Sequence, residues 1–176
     1  MSKTISTLLF LAFIACSVLA VYSYRAEQPG VRLFKDYFSP VPVQGYAAQR
    51  SLSAGVNDED ASIIRQAYAH HKAADYDLAL VSFRAYFESN PVPINDEALL
   101  LAGTSAVATG HYAEGEEYLD QIEDSGAFAA EAWWHLALID LREENLMAGR
   151  DELKRIIKKE AGGLPASELL KKIPTQ

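Results

Sequence analysis

Residues 74–83 read ADYDLALVSF, residues 110–119 read GHYAEGEEYL, and residues 144–153 read ENLMAGRDEL. In each, a pair of small or polar residues is followed by a large one: Tyr76, Tyr112 and Leu146. Three positions on comes a small residue (Ala79, Gly115, Gly149), and four further a large one (Phe83, Leu119, Leu153). The segments start 36 and 34 residues apart, from 74 to 110 and from 110 to 144. A period of this length leaves room for two helices per unit. That is the pattern of stacked helical hairpins, each hiding its apolar stripe against the next. The predicted fold class is therefore all-α, a hairpin solenoid of about three units.

Upstream of the first segment, Ile63, Ile64, Ala67, Tyr68 and His71 recur at helical spacing. Asn57 stands where an N-cap belongs, and Asp58, Glu59 and Asp60 place negative charge on the first turn, where the helix dipole favours it. A second helix from Tyr76 is stopped by Asn90, Pro91 and Pro93. The units are expected at about 60–93, 96–128 and 130–161, within a domain spanning 58–176. Gly162 and Gly163 are expected to end the last repeat helix. Pro165 can start another, and Leu164, Leu169, Leu170 and Ile173 beside Lys171 and Lys172 read as an amphipathic cap over 165–173.

Residues 60–157 resemble three tetratricopeptide repeats, over half of the chain. The resemblance rests on large opening residues (Ile63, Leu99, Trp133), small residues where the two helices cross (Ala67, Gly103, Ala137), and the post-turn residues quoted above. Pro91 closes the first repeat as in that family. The chain departs from the pattern at His70, Ala106 and Asp140, which stand where the family has tyrosine, and at Glu144, where glycine is usual.

Residues 5–24, ISTLLFLAFIACSVLAVYSY, carry no charge and lie between Lys3 and Arg25. About 20 residues of helix match the roughly 30 Å hydrocarbon core of a bilayer. Residues 1–24 are expected to be a retained membrane anchor. Two alternatives are a signal peptide cut after Val18-Leu19-Ala20 and a lipoprotein box ending at Cys16. The short amino-terminal stretch before the run favours an extracytoplasmic domain. Residues 35–42, KDYFSPVP, resemble a juxtamembrane element of some bacterial anchored repeat proteins, which implies a single-pass protein of the bacterial inner membrane. Secretion after cleavage is the alternative. Residues 25–57 then form a Pro- and Gly-containing linker. Within it Val31, Leu33, Phe34, Tyr37 and Phe38 suit a short amphipathic helix that docks on the domain or rests at the membrane.

The acidic balance, a net charge of −8, argues against nucleic acid as a partner, because phosphate affinity comes from clustered Lys and Arg. One cysteine excludes an intrachain disulfide. His70 and His71 diverge by about 100° on one helix, and Glu131 with His135 makes one i, i+4 pair where metal sites want three or four ligands. Neither a phosphate loop nor a nucleophile elbow is present. No cofactor, no metal and no enzymatic activity are expected.

The resemblance implies a concave groove lined by the first helices of the repeats. Carried over residue by residue, it takes in Tyr68, His71 and Lys72 from the first, Leu100 and Thr104 from the second, and Trp134, Leu138 and Arg142 from the third, with Ile64, Val107 and Leu141 beside them. Trp133 goes to the core. Such a surface suits a peptide or another protein. The alternative is that the linker or the cap fills the groove in cis. A further candidate is the basic face of Arg150, Lys154, Arg155, Lys158 and Lys159. The expected function is a membrane-anchored scaffold for protein–protein interaction, with self-association in a homo-oligomer as the alternative.

Overall fold

A computed structural model of the chain describes residue 16 and residues 28–43, 58–89, 95–160 and 163–174. Every element among them is helical: α1 (Pro29–Tyr37), α2 (Asp58–Lys72), α3 (Tyr76–Ser89), α4 (Asp96–Ala108), α5 (Tyr112–Asp120), α6 (Ala129–Arg142), α7 (Leu146–Lys158) and α8 (Ala166–Lys172). Helices α2–α3, α4–α5 and α6–α7 pair as hairpins, and α3 packs on α4 as α5 packs on α6. Among the described residues no helix is long and apolar enough to cross a membrane. The proposed span over 5–24 lies, apart from Cys16, outside those residues. So do Asn57 and Pro91.

The three quoted segments share one backbone device. Ala74, Gly110 and Glu144 all take left-handed conformations, with φ of 62°, 84° and 61°. In each hairpin the next amide reaches back five residues: Asp75 N–H to His70 O (2.9 Å), His111 N–H to Ala106 O (2.8 Å), Asn145 N–H to Asp140 O (2.8 Å). Inside these run the shorter bonds from Ala74 to His71, Gly110 to Val107 and Glu144 to Leu141. This is the Schellman arrangement that satisfies a helix's last carbonyls. The repeat is thus present in hydrogen bonds as well as in residue types.

Small residues sit at each crossing. Ala67 and Ala79 are wholly buried in the first hairpin, and a Cβ on Gly115 would meet Val107 Cγ2 at 2.7 Å and Gly103 O at 3.0 Å in the second. In the third, Gly149 lies under the Ala137 carbonyl. Helix α4 is buried almost all round, from Glu97 to Val107, because hairpins lie on both sides of it. One apolar cluster fills the first hairpin and reaches Leu101. The other runs through the second and third to Leu169 and Ile173 of the cap.

One boundary differs from expectation. Helix α7 ends at Lys158, and Glu160 turns left-handed (φ 54°) ahead of the two glycines. Leu169 of α8, the helix that packs on α7, is fully buried.

Candidate functional site

Helix α1 forms because Pro29 sits in its first turn with φ already set for a helix, and because Gly30, Leu33 and Phe34 share one face. That face is laid on α6. Phe34 meets the Tyr112 ring edge-on at 5.8 Å, Tyr37 meets Trp134 at 6.1 Å, and Phe38 meets His135 at 5.7 Å. The chain then continues extended, and Val41 joins the first hairpin's core while touching the second. Linker residues 29–43 therefore form a strap across the first helices of the hairpins.

Three polar fastenings hold it. At the start, Gly30 N–H donates to Glu144 Oε1 at 2.9 Å. This accounts for glutamate where glycine is usual. A left-handed non-glycine residue costs on the order of 1 kcal/mol, and the carboxylate offsets this by capping the positive end of α1, which has no N-cap side chain of its own. At the middle, Tyr37 Oη donates to Glu168 Oε1 (2.7 Å) and accepts from Lys172 Nζ (2.6 Å), joining strap to cap. At the end, His71 Nε2 lies 2.7 Å from the Val41 carbonyl. A carbonyl only accepts, so Nε2 carries the hydrogen. Burial lowers the His71 pKa and favours the neutral ring, and Nδ1 then faces the Ser105 hydroxyl at 2.8 Å.

The groove residues named from sequence are consequently not a free surface. Tyr68, His71, Leu100, Thr104, Trp134 and Leu138 are buried. Thr104 spends its hydroxyl on the Leu100 carbonyl one turn back, at 2.9 Å. Tyr68 tilts against Phe83 inside the first hairpin. Arg142 is half-buried with its guanidinium 3.5 Å above the Tyr112 ring, and Lys72 is exposed. The structure brings His71 and Trp134 under one strap and leaves Tyr68 to the core. Trp133 and Trp134 are both buried, on different sides of α6. The Trp133 N–H donates to Asp124, and Arg155 and Lys159 cover its ring.

Sequence reasoning gave Gly30 and Glu144 no part in docking the linker and weighed His135 only as half of a metal pair, not as the ring beneath Phe38. Burial pushes the His135 imidazole down to about 3, so it is neutral, and its Nδ1 has no hydrogen-bond partner. The signal for Glu144 was present, since an acid at a glycine position asks what it bonds. Two of the five cations of the basic face pair with acids of the same chain: Lys154 with Asp151, Arg155 with Asp124 and Glu152. Arg150 donates to the Ile173 carbonyl of the cap. Among the described residues no group of three or more His, Cys, Asp or Glu side chains is placed to hold a metal ion.

Acids gather instead around Asp140. Burial, with Glu116, Glu152 and Glu143 nearby, pushes its carboxyl up to about 6. The folded state thus prefers the protonated acid. The penalty is fully present above pH 6 and fades as pH falls toward the unfolded value near 4. Asp140→Asn keeps the oxygen that accepts from Asn145 and removes the charge. The expected result is a gain of about 1–2 kcal/mol at pH 7 that shrinks toward pH 4, measured as urea unfolding against pH. Equal stability of the two proteins at pH 7 would count against the charge crowding.

No protein-family model, no curated protein and no solved structure matches this chain.

Proposed function

We propose that the chain is a membrane-tethered interaction scaffold, a tetratricopeptide-like solenoid held on the extracytoplasmic side of a bacterial inner membrane by residues 5–24. The observation that carries the reading is the docking of α1. The segment following the uncharged run is fastened to the third hairpin and the cap, which supports a helical domain held close behind its tether. Stacked hairpins with turns built alike offer extended surface for another protein. No titratable cluster in the described residues outcompetes that use. A partner reaches the groove by displacing the strap, or uses an outer face and leaves the strap in place.

Crosslinking of the full chain in intact membranes tests this. Capture of a different protein in defined stoichiometry supports the scaffold. Capture of the chain alone moves the reading to self-association within a homo-oligomer. Products absent at every crosslinker length would remove both.

A further inference from the structure

Each hairpin is closed by a tight turn, and α3 packs on α4 as α5 packs on α6, so α2, α4 and α6 all end on one edge of the stack. Ala74, Gly110 and Glu144 mark that edge. Glu144 also receives the start of α1, so the strap enters the domain there. Only residues 25–28 separate Pro29 from the uncharged run ending at Tyr24. At about 3.3–3.6 Å per residue, the five steps from Tyr24 to Pro29 span at most about 18 Å.

This edge also carries unusual apolar exposure. Met147, in the first turn of α7, is 67% exposed, and Leu78, in the first turn of α3, is 52% exposed. Val81 follows Leu78 one turn on, at 57%. Between the first and second turns lies an open hollow of about 390 Å³, lined by Tyr76, Leu78 and Ala108 among others. The charges here are mixed: exposed Asp75, Asp77 and Glu143 accompany exposed Lys72 and half-buried Arg142.

We infer that the three-turn edge is a lipid-contact surface, which seats Leu78 and Met147 in the headgroup region of the bilayer that holds the chain. The inference rests on the tethered reading of residues 5–24. The short tether end brings the edge within reach of the interface, and large apolar side chains flanked by tyrosine, lysine and arginine suit that depth. Because the local acids outnumber the bases, nothing draws the edge to anionic lipid, and the contact is with neutral or zwitterionic headgroups. The opposite edge, with Glu123, then faces away from the membrane and is open to partners.

Nitroxide accessibility on the full chain in phosphatidylcholine vesicles tests the assignment. In a Cys16→Ala background, single labels are placed through Leu78→Cys, Met147→Cys and, as the water-facing reference, Glu123→Cys. The ratio of oxygen to nickel-chelate accessibility is expected to be several-fold higher at 78 and 147 than at 123. Three equal ratios in protein that floats with the vesicles would overturn the lipid-contact surface and leave the tether standing. Failure to float with vesicles at all would remove the tether, and this inference with it. Adding anionic phosphatidylglycerol is expected to leave the ratios unchanged. A contact seen only with that lipid would overturn the apolar basis argued above.

Discussion

Gly30→Ala is expected to lift α1 off the domain. A Cβ at this position would overlap the carbonyl oxygen and carbon of Leu141 and crowd the Glu144 carboxylate. Leu141 cannot yield, because its carbonyl accepts the Glu144 amide at 3.0 Å inside the third turn. The strap is the side free to move. Its release exposes Leu33 and Phe34, both 8% exposed when docked, at about 1.5–3 kcal/mol for each large apolar side chain. It also leaves the Glu144 carboxylate without the Gly30 amide. The expected outcome is a loss of about 3 kcal/mol or more in unfolding free energy. Trypsin is expected to cut faster after Arg32 and Lys35, which are exposed but held in a helix. Asp36→Ala, on the solvent side of α1, should change neither. Unaltered cleavage in Gly30→Ala would mean that the Gly30–Leu141 approach does not hold the strap.

The hairpins could be read from sequence because their causes are local. A turn needs particular backbone geometry within a few residues, and a crossing needs a small side chain on each helix; both recur at a period the eye can count. Helix α1 was readable for the same reason, from Leu33, Phe34 and Tyr37 on one face. Its docking place was not. Gly30 finds Glu144, Val41 finds His71, and Tyr37 finds Glu168, pairings set by the folded stack and invisible to any helical period. One sign against an open groove was nonetheless present in α4. Residues 98–107, ALLLAGTSAV, contain no charge, and a helix apolar on every side has no face to offer to water. Leu100 and Thr104 are buried accordingly.

The adjacent tryptophans separate strap docking from hairpin packing. Trp134, 5% exposed, lies beneath Tyr37, so it does not stand free as a groove residue. Trp134→Ala is expected to cost about 3–5 kcal/mol, the range for removing a large buried ring and leaving a cavity. It should also raise trypsin cleavage at Arg32, because α1 loses the surface on which Tyr37 rests. Trp133, 8% exposed, fills the other side of α6, with the Arg155 guanidinium 4.3 Å and the Lys159 ammonium 4.9 Å from its ring centre. Its loss is expected to lower the melting temperature as well. Beyond the cavity it removes two cation–π contacts, on the order of 0.5–1 kcal/mol each at an exposed site. Its polar and cationic partners, Asp124, Arg155 and Lys159, lie outside the strap, so cleavage at Arg32 in the folded protein should stay at the wild-type rate. The decisive comparison is cleavage well below either melting temperature. If Trp133→Ala frees the strap and Trp134→Ala does not, α1 rests on the other side of α6. If both lower stability and neither alters cleavage, the strap is held by its polar fastenings at Glu144, Glu168 and His71 with little help from the ring contact. Glu144→Ala would then be the variant that releases it.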